Sequence, residues 1–226
     1  MPEIEQNIQQ PLVDGRAITS SRFVVFLDIM GFKDKVAHKE HVTVLEKLKS
    51  FQGRIASYVA QEGNLNIQLT QFSDSVILFS ADTRRTSLNA LASITTNVMI
   101  SALELNIPLK GAIAKGKVTC DLQKQLFFGQ ALIDAYLLQE DVKSYSVLVH
   151  HSAEVDVKAR SQFREVKAYL KTGRIIHREL NWYGGTDYSE ERIEQTKRIL
   201  QRLRETVSNS PRIYIDNTLS IIEENN

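Results

Sequence analysis

Residues 65–80, with the sequence LNIQLTQFSDSVILFS, decide how the chain is expected to fold. Residues 65–72 alternate apolar and polar side chains, which predicts a half-exposed strand, and residues 76–80 form an apolar partner strand. Between them stands Ser73-Asp74-Ser75, whose short polar side chains accept local backbone hydrogen bonds in tight turns. The stretch therefore predicts a β-hairpin whose turn carries the carboxylate of Asp74.

The segments before this hairpin predict a strand and a crossover helix. Residues 22–28 (RFVVFLD) form a continuous apolar strand, which Met30-Gly31-Phe32 interrupts, and residues 34–62 carry apolar side chains at helical spacing. A crossover helix makes the first two strands of such a unit parallel. We therefore expect Asp28, at the end of the first strand, to lie beside the hairpin turn that holds Asp74.

The segments after the hairpin alternate between helices and strands. They are a helix at residues 84–105 closed by Pro108, a strand or hairpin at 109–119, a short strand at Phe127-Phe128, a helix at 130–142 and a strand at 145–150. The whole order predicts an α+β, ferredoxin-like (split βαβ) fold with an antiparallel-dominated sheet and its helices on one face.

The chain divides into three predicted regions. Residues 1–20 are polar and expected to be a flexible N-terminus, and residues 21–150 form the core. Residues 151–226 are expected to be an extension packed on that core, with a hairpin turned at Thr172-Gly173 and a helix capped by Ser189.

Composition limits the partners and the compartment. The 226 residues include 28 Lys and Arg against 27 Asp and Glu, a net charge of +1 that argues against a nucleic-acid-binding surface. No apolar run approaches the roughly 18 residues of a membrane span. Cys120 is the single cysteine, so no intramolecular disulfide forms, and residues 1–20 lack the apolar segment of a signal peptide. We expect a cytoplasmic protein, with Cys120 structural.

Two carboxylates at one sheet edge repel each other unless a counter-charge joins them. Mg²⁺ supplies such a charge and usually takes one or two carboxylates plus phosphates and waters. The backbone amides after Asp28 are expected to face phosphate oxygens, and Gly31 permits close backbone approach. Each residue alone has a plainer interpretation, because Asp28 would also cap the next helix and Ser73-Asp74-Ser75 would also form an ordinary turn.

Four segments together resemble the class III nucleotidyl cyclases, and they occur in the order of that family over about residues 22–150. They are residues 26–32 (FLDIMGF), 72–76 (FSDSV), 109–118 (LKGAIAKGKV) and 128–136 (FGQALIDAY). The resemblance implies a cyclase core that converts a nucleoside triphosphate to a 3′,5′-cyclic nucleotide and pyrophosphate. It also implies a head-to-tail homodimer with active sites at the interface.

The resemblance assigns roles to particular residues. Asp28 and Asp74 would be catalytic and hold two Mg²⁺ or Mn²⁺ ions per site, with the Ile29 carbonyl as a further metal ligand. The residues expected to contact the substrate are Met30, Gly31, Phe32, Thr70, Lys115 and Tyr136. Further candidates for phosphate contacts, for which a solvated surface position is the plainer interpretation, are Lys33, Lys110, Lys117, Arg174 and Arg178.

Several positions depart from the purine cyclases of this family. Thr70 stands where they usually carry a base-reading Lys or Glu, and Leu126 replaces a polar base-reading residue. Ile133 and Leu137 stand where the family has its transition-state Asn and Arg. The departures put purine recognition and full catalytic power by the usual residues in question.

Residues 129–138 (GQALIDAYLL) resemble short stand-alone bacterial cyclases, including the pyrimidine cyclases of Pycsar anti-phage defence. This resemblance implies UTP or CTP as substrate, and a separate effector that the cyclic nucleotide activates. The alternatives are a purine cyclase, a degenerate cyclase fold that binds nucleotide without turnover, and a ferredoxin-like interaction domain in which both aspartates are turn residues.

Overall fold

The computed structural model describes residues 12–13 and 16–225, with the backbone alone at 12, 13, 16, 17 and 33–35. Its strands are β1 (Leu12–Val13), β2 (Arg16–Ala17), β3 (Thr19–Ile29), β4 (Gln68–Phe72), β5 (Ser75–Phe79), β6 (Leu109–Asp121), β7 (Leu126–Gly129), β8 (Val147–Val149), β9 (Phe163–Leu170) and β10 (Gly173–Leu180). Its helices are α1 (Phe32–His38), α2 (His41–Gln61), α3 (Arg85–Glu104), α4 (Gln130–Asp141), α5 (His151–Val157), α6 (Glu190–Glu205) and α7 (Ser210–Glu224). None of the helices in this part of the chain combines the length and apolar character needed to cross a membrane.

One large sheet organises the molecule. Its strands lie in the order β4-β5-β3-β6-β8-β10-β9, and β7 pairs with β6. Only the pairing of β6 with β8 is parallel among the described strands of this sheet. The predicted α+β, ferredoxin-like fold with an antiparallel-dominated sheet is confirmed.

Strand β3 lies at the centre because its apolar run is buried on both faces. Phe23 and Leu27 are fully buried, and β5 and β6 pair with β3 on its two sides. On β6, a Cβ added at Gly111 would lie 2.5 Å from Leu27 Cδ2 and 2.5 Å from the carbonyl oxygen of Phe26. Only glycine therefore lets β6 approach β3 this closely at the end of the strand that carries Asp28.

The main core lies on one face of the sheet, the α2–α3 face. Phe23, Val25 and Leu27 of β3 meet buried residues of α3, and Phe51 and Ile55 of α2 join them. Each fully buried side chain of this size stabilises the fold by roughly 1.5–3 kcal/mol.

Helix α4 corrects the expectation that all helices share one face. Its Ala131 and Ala135 are fully buried against Val24 and Phe26, which point to the opposite side of β3. The small alanine side chains let α4 lie close to the sheet. The sequence pattern predicted the helix, but a helical period by itself does not say which sheet face the helix covers.

The C-terminal region extends the sheet through β9 and β10, and its helices α6 and α7 contribute Leu200, Tyr214 and Ile215 to the main core. Glu179 of β10 pairs with Leu148 of β8, so β9 and β10 continue the same sheet beyond residue 150. The turn at residues 171–172 joins strands longer than predicted. Ser189 caps α6 as predicted, because its hydroxyl accepts the backbone N–H of Arg192 at 3.3 Å.

The N-terminal prediction falls mostly outside the described residues, which exclude 1–11, 14 and 15. Strand β3 begins at Thr19, within the region expected to be flexible and before the predicted start at residue 22. Thr19 pairs with Thr119 of β6, and their hydroxyls are 2.7 Å apart. Backbone pairing and the hydroxyl contact extend β3 at this end. The prediction started the strand later because it relied on apolar side chains.

A buried ion pair joins β9 to β10 in the extended sheet. The Glu179 carboxylate is 1% exposed, and its Oε2 lies 3.9 Å from Nη2 of Arg164. Burial raises the pKa of Glu179 to about 7, although Arg164 pulls it down, and burial lowers the pKa of Arg164. The folded chain therefore holds a proton on Glu179 at pH values where the unfolded chain has released it.

This shift predicts that stability falls as pH rises between 4.5, the ordinary pKa, and about 7. The Glu179 contribution amounts to up to about 3 kcal/mol across that window. Glu179→Gln should remove the decline, because the amide does not titrate. The free energy of unfolding in urea, measured at about pH 5 and about pH 8, checks this.

Glu165→Gln serves as the control, because Glu165 pairs with Arg178 at 3.7 Å and its side chain is 61% exposed. That variant should keep the decline of the wild type. Equal pH dependence in Glu179→Gln and the wild type would show that Glu179 does not titrate in this way.

Candidate active site

The backbones of Asp28 and Asp74 meet at one edge of the sheet, as predicted. Asp28 of β3 pairs with Ser75 of β5, and the backbone N–H of Ile29 donates to the Asp74 carbonyl at 2.8 Å. The β4–β5 hairpin turns through Ser73-Asp74, with Ser73 in the left-handed region at φ 53°. This tight turn places Asp74 immediately next to the end of the central strand.

Strand alternation places the candidate residues on one face, called here the α4 face. Asp28 lies two and four residues after Phe26 and Val24 on β3, so its side chain is on the same face as theirs, which meet α4. Thr70 pairs with Ile77, which packs against the same cluster. Tyr136 of α4 is 45% exposed, and its ring meets that of Phe26 edge-on at a centroid distance of 5.4 Å. Asp28, Thr70 and Tyr136 therefore lie on the same face.

Lys110 is the basic residue that lies directly opposite Asp28 on the paired strand β6. It pairs across β6 with Asp28, is 5% exposed, and donates from Nζ to the Gln139 carbonyl at 3.0 Å. Burial lowers the pKa of Lys110, and the Asp28 carboxylate opposes that shift. Lys110 thus offsets the charge of Asp28 and binds the carbonyl end of α4, where a cation is favoured.

The sequence offers Lys110 only as a candidate phosphate contact, with a solvated surface position as the plainer interpretation, and does not predict its pairing with Asp28. Cross-strand register would have revealed it, because residues directly opposite on paired strands point to the same face. The register of β3 with β6 cannot be read from either strand alone.

The two carboxylates suit a hard divalent cation. Both Asp28 and Asp74 are half-buried, and the Asp74 carboxylate makes no hydrogen bond or ion pair with any residue that the structure describes. The described part of the chain also contains no group of three or more His, Cys, Asp or Glu that could bind a metal. Mg²⁺ usually binds one or two carboxylates and takes its other ligands from phosphates and water, which matches this pair.

The turn after Asp28 differs in part from the expectation. The Met30 backbone N–H was expected to face a phosphate. It instead donates to the Pro108 carbonyl at 2.9 Å. The side chains of Met30 and Phe32 pack against the main core, away from the α4 face. Gly31 is exposed and adopts φ +67°, which glycine tolerates without strain. The amides of Gly31 and Phe32 stay predicted phosphate contacts.

Lys115, a predicted substrate contact, lies apart from the other candidates, on the opposite face of the sheet. It pairs with Phe23, on the α2–α3 face, and its Nζ lies 2.9 Å from Asp156. The reason is strand parity: Lys115 is an odd number of residues from Lys110, so its side chain points to the opposite face. Sequence spacing along a long strand does not show this without the register.

The other lysines and arginines proposed as phosphate contacts are ion-paired elsewhere, exposed, or have side chains outside the described residues. Arg174 pairs with Glu224 at 2.6 Å, and Arg178 with Glu165 at 3.7 Å. Lys117 is exposed, and the side chain of Lys33 lies outside the described residues. Burial raises the pKa of Cys120 to about 11, which favours the neutral thiol and a structural role.

The outer surface of α4 is apolar. Ile133 and Leu137 are 50% and 56% exposed, and with Tyr136 they form a stripe one helical turn long, called here the α4 stripe. Leu126 of β7 is also half-exposed. Ile133 and Leu137 thus present no hydrogen-bond donor at the positions where the resembled family has Asn and Arg.

No protein-family model matches the sequence, and no curated protein matches it either. Solved structures match over most of their length. The adenylyl cyclase CyaB from P. aeruginosa is 15% identical, with a TM-score of 0.58 over 72% of this chain and 95% of that one. The guanylate cyclase domain of RhGC from Catenaria anguillulae, in complex with GTP, is 12% identical, with a TM-score of 0.56 over 71% of this chain and 96% of that one.

A third structure has the same architecture. The catalytic core of a rhodopsin-guanylyl cyclase with converted specificity, in complex with ATPαS, is 10% identical, with a TM-score of 0.58 over 72% of this chain and 98% of that one. Identities this low establish the architecture alone. The chain has the mixed α+β core fold of the class III nucleotidyl cyclase domains.

Proposed function

We propose that the chain is a nucleotidyl cyclase that converts a nucleoside triphosphate to a 3′,5′-cyclic nucleotide and pyrophosphate. The observation that carries this proposal is the meeting of Asp28 and Asp74, secured by the 2.8 Å hydrogen bond between Ile29 and Asp74. The fold shared with cyclase domains supports it. Fold alone would not suffice, because one fold hosts many functions.

Asp28 and Asp74 would hold two Mg²⁺ or Mn²⁺ ions, with the Ile29 carbonyl as a further ligand. When bound, these ions supply Lewis acidity that lowers the pKa of the ribose 3′-hydroxyl and neutralises triphosphate charge. The chain itself places Asp28 at the end of β3 and Asp74 in the adjoining β4–β5 turn. Lys110, on the neighbouring strand, offsets the charge of Asp28 from within the fold.

For the base, we propose a pyrimidine, with UTP or CTP as substrate. The support is Thr70 on the α4 face, a short neutral side chain where purine cyclases usually carry Lys or Glu, together with the resemblance of residues 129–138. Tyr136 exposes part of its ring on the same face and would stack on the base. The neighbours named as adenylyl and guanylyl cyclases keep a purine substrate as the alternative.

We also propose a homodimer with active sites at its interface. The support is the α4 stripe, since exposed apolar residues grouped on one surface mark interaction sites. The product would be a second messenger for a separate effector in cytoplasmic anti-phage signalling, a role that rests on the resemblance of residues 129–138 to the Pycsar cyclases.

A second candidate function is nucleotide binding without turnover. The apolar Ile133 and Leu137 favour it, because a lost donor to the developing charge often costs a few kcal/mol of transition-state stabilisation. The presence of both aspartates favours the enzyme.

Incubation with ATP, GTP, CTP and UTP separately, each with Mn²⁺, tests the proposal. Chromatography and mass spectrometry should show a cyclic nucleotide, and most of it from UTP or CTP. Product from ATP or GTP alone would contradict the pyrimidine preference. Nucleotide binding with no cyclic product from any of the four would support the binding module.

Asp74→Asn should lower cyclic nucleotide formation and Mn²⁺ affinity, each by about 100-fold or more, because a neutral amide replaces a carboxylate ligand. Product formation and Mn²⁺ titration calorimetry measure the two effects. The melting temperature should stay close to that of the wild type, because no described residue bonds to the Asp74 carboxylate.

Asp187→Asn is the matched control, an exposed aspartate in the loop before α6. It should leave both measurements unchanged. Wild-type activity in Asp74→Asn would contradict the metal site.

Leu137→Asp should shift the protein from dimer to monomer in sedimentation velocity, because a charge in the α4 stripe would be desolvated at the interface. Val155→Asp is the control, since Val155 is 89% exposed on α5, away from α4. An unchanged dimer in Leu137→Asp, or a monomeric wild type, would exclude the α4 stripe as the dimer surface.

A further inference from the structure

A cavity of about 430 Å³ adjoins the turn that follows Asp28. The turn at residues 29–32 forms one wall, and α2, the loop between α3 and β6, and the segment joining α6 to α7 form the others. Ile29 faces this cavity, and strand alternation turns the neighbouring Asp28 to the α4 face. The cavity and the candidate metal site therefore lie on opposite sides of one short segment.

The walls are mainly apolar. Side chains from five separate parts of the chain supply them, among them Ile29, Phe32, Leu48, Ile107, Tyr145 and Ile215. The volume falls within the roughly 300–1,000 Å³ of small-molecule sites. A hydrocarbon or aromatic group would be removed from water over most of its surface here, which is the main source of affinity for such groups.

The charged residues of the lining are two lysines, which lie among several neutral polar side chains. Lys39, which precedes α2, and Thr43 and Lys47 of α2 all line the cavity, and none of the described lining residues is acidic. Neither lysine has an ion-pair partner among the described residues. An apolar cavity whose two lysines have no ion-pair partner in the described part of the chain suits a ligand with an apolar body and a single anionic group.

We propose that this cavity binds an amphipathic small-molecule anion, such as a long-chain or aryl carboxylate. The carboxylate would bind Lys47 and Lys39, and the apolar body would fill the space between α2 and the segment joining α6 to α7. That segment belongs to the C-terminal region, so the region gains a role in forming a binding site.

Occupancy would also act on the candidate active site, a consequence that rests on the proposed function. Tyr214 lines the cavity and stacks on Tyr145 at 6.1 Å, and the Lys110 Nζ lies 5.9 Å from the centre of the Tyr214 ring. Lys110 is the cross-strand partner of Asp28. A ligand that moves Tyr214 or the turn would therefore alter the surroundings of Asp28.

The chain offers a built-in reporter for binding. Trp182 is its single tryptophan, and its indole N–H donates to the carbonyl of Tyr145, a lining residue, at 3.0 Å. Excitation of Trp182 should transfer energy to bound anilinonaphthalene sulfonate. Dodecanoate below its micellar concentration should displace this probe, whereas dodecyltrimethylammonium, which has the same chain length and a positive charge, should not.

Three variants test the location of the site. Lys47→Met should weaken dodecanoate binding about tenfold, as expected for one charge-assisted hydrogen bond. Lys49→Met, an exposed lysine of α2 outside the lining, should leave it unchanged. Val207→Phe should fill the cavity and abolish binding without lowering the melting temperature. Equal affinity in Lys47→Met and Lys49→Met, or equal binding of the cationic amphiphile, would overturn the proposal.

Activity separates the two parts of the proposal. Saturating dodecanoate should change the rate of cyclic nucleotide formation by at least about fivefold in the wild type, and leave Val207→Phe unaffected. Binding with an unchanged rate would overturn the regulatory part alone. A chain that binds dodecanoate but forms no cyclic nucleotide would overturn the proposed function and leave the binding site supported.

Discussion

The pairing of β3 with β5 is the constraint on which the candidate site depends. It sets Asp28 opposite Ser75 and brings the Ile29 amide to the Asp74 carbonyl at 2.8 Å. A slip of one residue would turn every side chain of β3 to the other face, and Asp28 would enter the main core while Leu27 left it. Burial of Phe23 and Leu27 against α3 opposes that slip far more strongly than any polar contact. The core therefore positions the carboxylates.

The charge of the site is only partly compensated within the fold, whereas the chain as a whole is nearly neutral, at +1. Lys110 lies across from Asp28 and is held by the carbonyl of Gln139, whereas the Asp74 carboxylate has no partner among the described residues. One acid is thus compensated within the fold, and the other is left for an external cation. A site built from acids attracts metal ions, and those ions bring the positive charge that a triphosphate requires. Near-neutral composition therefore does not count against a nucleotide substrate.

The order of strands and helices was sufficient to predict the fold and the meeting of Asp28 with Asp74, because a crossover and a tight hairpin leave little topological freedom. Features that depend on the register of β3 with β6 could not be predicted from the order of the elements. The face on which Lys115 lies and the pairing of Lys110 with Asp28 both follow from how β6 aligns with β3, which sequence spacing does not reveal. The Met30 backbone N–H was predicted to contact a phosphate. It donates instead to the carbonyl of Pro108, a residue distant in sequence.

In the proposed cyclase, Asp28 and Asp74 together hold the metal ions that bind a nucleoside triphosphate. Anomalous diffraction from crystals grown with Mn²⁺ and a non-cyclisable triphosphate analogue tests it most directly. We expect manganese peaks between these two carboxylates and the triphosphate, and their loss in crystals of Asp28→Asn. Manganese bound elsewhere, or nucleotide bound with no metal at this edge of the sheet, would contradict it.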